Sequence, residues 1–272
     1  MTFLLHSGHQ LSWSAWTFEA PVVSAIFIAL SFYFYAAFSL KGAFVPVRAL
    51  AFVCGIVLLA MAVVSPLDVA ADRLLSMHML QHVLLTTLGP PLVLLGLTDA
   101  MLHPIFVTPS IHRYAKVVLH PVFTGAVFVV TMWFWHVPAI YDEASSNIEV
   151  HQLMHAAFVC AGFLFWWPVI QPSRDLITHG EGARVLYLFA TGMPMALLAL
   201  LFFAANDVIY PYYDQTPALW GLSPMDDQQI AGLVMGGLGE AASFVAITLL
   251  FFRFLDREER EATAQQGRVD AA

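Results

Sequence analysis

The chain has 272 residues, 60% of them hydrophobic and 11% charged, with a formal net charge of −8 at pH 7 and a mean hydropathy of +0.75. A soluble domain carries about a quarter charged residues, so a water-soluble globule is excluded and the lipid bilayer is the expected solvent. The acid excess argues against nucleic acid as a partner, because phosphates are held by basic faces.

Residues 1–19 lack the basic region and cleavage site of a signal peptide. They are expected to form a short outer segment, with Trp13 and Trp16 at the membrane interface. Seven apolar stretches follow, each long enough to cross a hydrocarbon core of about 30 Å. They cover 20–40, 47–65, 74–97, 117–136, 150–170, 184–205 and 229–254. The expected fold class is all-α: a polytopic seven-transmembrane-helix bundle over residues 20–256, with a loose polar tail over 257–272. Cys54 and Cys160 fall inside the second and fifth spans and suggest no disulfide framework. Pro90-Pro91 predicts a kink near the inner end of the third span. The segment 98–116, with Pro104 and Pro109, reads as a loop, as does 206–228, with Pro211, Pro217 and Pro224. Gly232 and Gly236 form a small-xxx-small pattern suited to close helix packing.

Ten of the eleven Lys and Arg residues follow the odd-numbered spans or lie in the tail; Arg73 alone lies in the alternate segments. Basic residues mark cytoplasmic loops, so the N-terminus is expected outside and the C-terminus in the cytoplasm. The outer segments then carry a charge of about −9 and the cytoplasmic ones about +2. An acidic outer face concentrates cations.

Of eleven histidines, His6, His9, His78, His82, His136, His151 and His155 fall on the outer side. Four form pairs, His78-Met-Leu-Gln-His82 in the third span and His151-Gln-Leu-Met-His155 in the fifth. Residues four apart share one helix face, about 6 Å apart along the axis. Counted from the outer ends of their spans, the pairs lie roughly 2 to 12 Å deep, in one layer, and His136 ends the fourth span at the same face. Polar groups at such depth face the bundle interior and mark function; hydrogen bonding between helices is the plainer alternative. Imidazole with carboxylate suits zinc, copper or iron, and thioether tilts the choice toward reduced copper. Met77, Met79, Met154, Met225 and Met235 lie in the outer half, and Asp226 and Asp227 could complete a site or orient its imidazoles. Glu240, mid-span in the seventh helix, could serve a proton path or bond a neighbouring helix. His103, His112, His120 and His179 lie toward the cytoplasm and read as loop or interface residues.

At these residues the chain resembles the CtaG-type family of cytochrome c oxidase assembly factors, described for caa-type oxidases. The landmarks are His78-Met-Leu-Gln-His82 with Pro90-Pro91 and Leu95-Gly96, Trp135-His-Val-Pro-Ala-Ile-Tyr141, His151-Gln-Leu-Met-His155, and Met225-Asp-Asp-Gln228. They run from the third span to the seventh. One departure is Gly236-Gly237, where the family pattern has a tryptophan soon after the methionine at 235. The resemblance implies a non-enzymatic role in a bacterial inner membrane, in maturing the copper of the oxidase catalytic subunit. The first ligand candidates are His78, His82, His151 and His155, followed by His136, Asp226 and Asp227; other copper carriers are possible partners. The alternative is a haem protein with axial histidines from the third and fifth spans. A retinal protein is set aside, because Lys41 and Lys116 both lie at span boundaries; a cation transporter stays open.

Overall fold

The computed structural model of the protein describes residues 15–176, 179–215 and 219–270; His6, His9, Trp13 and Pro217 lie outside the described residues. Among the described residues there is no strand. In chain order come α1 (Ala20–Ser39), α2 (Pro46–Val64), α3 (Pro66–Ala71) and α4 (Leu75–Gly96), then α5 (Asp99–Phe106), α6 (Pro109–Val118) and α7 (Pro121–Trp135). There follow α8 (Pro138–Ser146), α9 (Ile148–Ile170), α10 (Glu181–Ala204), α11 (Pro211–Asp214) and α12 (Pro224–Asp270). Six of these are long and apolar enough to cross a membrane, and α6 with α7, meeting at 54°, make a seventh if taken as one span. The chain is thus a multi-pass membrane protein. Phe27, Phe32, Val122 and Phe244 are each more than 70% exposed, which only an apolar solvent makes favourable.

The expected spans recur within a few residues, and the first departure comes from the prolines. Pro109, Pro121, Pro138, Pro211 and Pro224 stand in the first turns of helices, where a missing N–H costs nothing and the fixed φ suits the helix. The segment expected as the loop 98–116 is therefore largely α5 and α6, and the last helix starts at Pro224 instead of 229. The tail is a second departure. The last helix continues to Asp270, supported by Arg260–Asp256 and Arg257–Glu261 pairs one turn apart. Arg257 also reaches Glu181 at the start of α10, at 2.6 Å.

The bundle is built around α4, 67% buried against 11% for α1. At Leu84–Leu88, α4 widens into a π turn just before Pro90-Pro91. Gly162 on α9 allows this turn to approach: a Cβ there would lie 2.7 Å from the carbonyl oxygen of Thr86. α12 carries a second π turn, Val234–Gly239, which spans the Gly236-Gly237 departure. Gly232 packs against α10, where a Cβ would meet the Ala199 carbonyl oxygen at 2.8 Å.

Candidate metal centre

The first N–H groups of a helix have no partner within it. At the start of α4 they are met from 152 residues away: Asp227 on α12 accepts from the Leu75 N–H at 2.5 Å and the Ser76 N–H at 3.2 Å, and from the Ser76 hydroxyl. Two turns on, Gln81 donates to the Ala62 carbonyl at 2.7 Å and the Asp68 carboxylate at 2.6 Å. These bonds pin α4 to α2, α3 and α12. His78 and His82 then meet the matching pair on α9.

The two pairs do meet. Ring centroids lie 4.3 Å apart for His78–His82 and for His151–His155, 5.4 Å for His78–His151, and 5.9 Å for His82–His155. His78, His82 and His155 can each offer one ligand nitrogen, all within 4.8 Å of one another. His78 and His82 are 2% exposed and His151 5%. Among the described residues, the Nε2 of His78 and both ring nitrogens of His82 are buried without a hydrogen bond. Each such orphan costs about 1–3 kcal/mol, a cost that a bound cation would offset.

Tyr213 sets the tautomer of His78. Burial holds its phenol well above the ordinary tyrosine range, so it keeps its one proton. Its hydroxyl lies 2.9 Å from the Ala71 carbonyl oxygen, 2.9 Å from the Tyr141 hydroxyl and 3.2 Å from His78 Nδ1. A carbonyl only accepts, so the Tyr213 proton goes to Ala71 and its oxygen accepts from His78 Nδ1–H. The lone pair of His78 is thereby left on Nε2, the nitrogen buried without a hydrogen bond among the described residues. An outer partner fixing a ligand imidazole is a recurrent feature of metal sites. Tyr141 stacks on Tyr210 at 3.9 Å, and the Tyr210 hydroxyl donates to the His136 carbonyl at 2.9 Å, so these tyrosines cover the histidine layer.

The other expected residues fall in different places. His136 lies beside the triad, 5.7 Å from His82 between ring centroids, but outside its ligand group. Asp226 is exposed and bonded to Ser223 at the start of α12. Asp227 is buried, with both oxygens engaged by α4. Neither acid belongs to the ligand group; Asp227 positions the histidine helix. Met79 and Met154 are wholly buried. Gln228 holds the connection before α11, accepting from the Ile209 N–H at 2.7 Å and donating to the Asp207 carbonyl at 3.2 Å. Cys54 and Cys160 are free and exposed. Tyr213 and Tyr210 were not singled out from the sequence; the aromatic run Tyr210-Pro-Tyr-Tyr213 in an outer connection was the available signal.

Below the histidines lies a cavity of about 40 Å³ between the two π turns. His82 and His136 line its upper part, and Thr86, Thr87, Thr191, Ser243 and Glu240 add polar groups. Glu240 makes no hydrogen bond or ion pair among the described residues; a Cβ at Gly192 would stand 3.2 Å from its Oε2, so that glycine leaves the carboxyl room.

A helical membrane bundle with converging imidazoles inside it defines a class: polytopic membrane proteins built around a buried histidine cluster. More narrowly, the chain belongs to the cytochrome c oxidase caa3 assembly factor family, Caa3_CtaG, whose family model matches residues 31–257. Similar curated proteins include an uncharacterised protein of Mycobacterium bovis and one of Mycobacterium tuberculosis, each 23% identical over 280 aligned positions covering 95% of this chain. The chain spans 42% of the length of these relatives. No solved structure matches it.

Proposed function

We propose that the protein binds copper transiently at the outer end of the bundle and assists its insertion into the catalytic subunit of cytochrome c oxidase. The observation that carries this reading is the set of orphaned imidazole nitrogens of His78 and His82, converging with His155 inside a member of an oxidase assembly family. Imidazole is a ligand for copper, zinc and iron, and the surrounding thioethers favour copper. His78, His82 and His155 would hold the ion, with His151 against His78 as a further ligand. The ion is cargo, and the role is binding and release, without catalysis. A separation of up to 4.8 Å between ligand nitrogens exceeds the roughly 3.3 Å edge of a tight tetrahedral site; the rings must turn to close, which suits a site that lets go.

This reading takes α6 and α7 as one of seven spans, with the N-terminus outside and the C-terminus cytoplasmic in a bacterial inner membrane. The basic residues support that orientation. A reporter active only in the cytoplasm should work when fused after the C-terminus and fail within 207–226; the reverse would put the histidines on the wrong side for an outer handover.

Haem with axial histidines from α4 and α9 is the second reading. Against it, His82 packs on Phe158 at 4.4 Å and His78 on Tyr141 at 5.3 Å, and a macrocycle would have to part these rings. Metal analysis by mass spectrometry with an absorption spectrum, on protein purified in mild detergent, decides between the two. Copper without the intense haem band supports the proposal. Iron with that band supports haem. No affinity for added copper and no haem would sink both.

A further inference from the structure

His136 stands next to the triad and has its own arrangement. Its Nδ1 lies 2.6 Å from the Met132 carbonyl oxygen. A carbonyl only accepts, so Nδ1 carries the proton, and the neutral ring has its lone pair on Nε2. That Nε2 lies 3.4 Å from the sulfur of Met79, and a thioether has no proton to offer. Two lone-pair donors therefore face each other in the interior, with Met79 fully buried and His136 5% exposed. In this tautomer the contact is not a hydrogen bond. It is the edge of a ligand set: metal–nitrogen and metal–sulfur bonds of about 2.0 and 2.3 Å at a tetrahedral angle put their donor atoms about 3.5 Å apart.

We propose that His136 and Met79 form a second cation site beside the triad, selective for a soft monovalent ion such as Cu(I). The proposal rests on the copper reading above and adds a separate site of different softness. One imidazole and one thioether favour Cu(I) over zinc or harder cations. The cavity of about 40 Å³ opens on both donors, and Met132, Met195 and Met235 share its wall, offering further thioethers. His82 borders the cavity as well as the triad, so it stands between the two sites. An ion passing from one to the other would exchange nitrogen ligands for sulfur without crossing lipid. The competing explanation is ordinary packing of a polarizable methionine against a ring.

The test loads the purified full chain with Cu(I) under reducing, oxygen-free conditions, and counts ions per chain by mass spectrometry. X-ray absorption at the copper edge then reports sulfur neighbours. Met79→Leu is the first variant, because core positions tolerate this volume-conserving exchange; His136→Phe is the second. The expected result is two ions per chain with sulfur in the wild-type spectrum, falling to one ion and an all-nitrogen spectrum in Met79→Leu. Wild-type protein with one nitrogen-bound ion, or sulfur scattering that survives both variants, overturns the second site and leaves the triad standing. Wild-type protein that takes up no copper overturns the second site together with the reading on which it rests. Silver(I), a soft ion with no stable divalent state in water, is the confirming probe: its uptake should fall by one ion per chain in Met79→Leu, and the ion that remains should be bound by nitrogen alone. Silver uptake in Met79→Leu equal to the wild type would overturn the assignment.

Discussion

The two ends of the bundle both hold histidines, and they use them differently. At the arginine-rich end, His103 pairs with Asp175 at 2.9 Å, and His120 accepts from the Val122 N–H at 3.3 Å, capping the helix it precedes. Both side chains are exposed and have ordinary protein partners. At the other end, five rings pack on one another, and among the described residues the Nε2 of His78 and both ring nitrogens of His82 have no hydrogen-bond partner. The residue type is the same; the difference is what the helices bring within reach. A histidine offered a carboxylate or a backbone N–H is a structural group. Where imidazoles pack on one another and a ring such as His82 keeps its nitrogens without a hydrogen bond, the cluster is a candidate site for a cation.

The largest expected effect comes from removing two imidazoles from one face. His78→Ala with His82→Ala should weaken copper binding by at least ~1,000-fold, since even outer partners of metal ligands are worth about 10–100-fold each. Ala is well tolerated in helices, so the purified protein should stay helical by circular dichroism. In cells, oxidase activity should fall with the copper missing from the oxidase, while its haem and polypeptide persist. The matched control is His112→Ala with His179→Ala at the opposite end. If the control lowers bound copper as far as the loss of His78 and His82 does, the contrast between the two ends is wrong.

Next is the distant cap on α4. Asp227→Ala strands the buried Leu75 and Ser76 N–H groups and should cost about 2–4 kcal/mol, read as a lower midpoint of thermal unfolding in detergent. Asp227→Asn keeps an accepting oxygen and should lose less, because Asn caps helices about as well as Asp. Equal losses would mean that the negative charge, and not the hydrogen bonds, holds the helix. A smaller effect is expected from Tyr213→Phe, which removes the acceptor for His78 Nδ1–H. Copper affinity should drop about 10–100-fold with circular dichroism unchanged. An unaltered affinity would show that the tautomer of His78 is set by something else.

These residues also mark how far the sequence could be read. Spans and the histidine layer were legible because apolar runs of sufficient length report a membrane crossing, and a spacing of four puts two side chains on one face. The prolines misled, because Pro109 and Pro224 carry the same letters whether they break a helix or start one. Asp227 and Tyr213 were out of reach for another reason. Their partners lie 152 and 135 residues away, and neither α12 against α4 nor α11 over α4 follows from local pattern. Asp227 was marked as a candidate near the site; only the packing shows that its oxygens are engaged by the helix that carries the ligands.

The smallest effect tests the other side of the comparison. His103 and Asp175 pair at the arginine-rich end with side chains that are 57% and 27% exposed. Water solvates both groups when they part, and holding two side chains in one geometry costs conformational freedom, so exposed pairs contribute about 0–1 kcal/mol. His103→Ala should therefore shift the unfolding midpoint by no more than this implies, and the shift should shrink further in high salt, which screens exposed charges. Copper content should match the wild type, since α5 carries no residue of the candidate centre. A loss well above 1 kcal/mol would mean that this contact anchors α5 to the segment before α10 beyond its electrostatics. The two ends would then differ in chemistry but not in how strongly their histidines hold the fold.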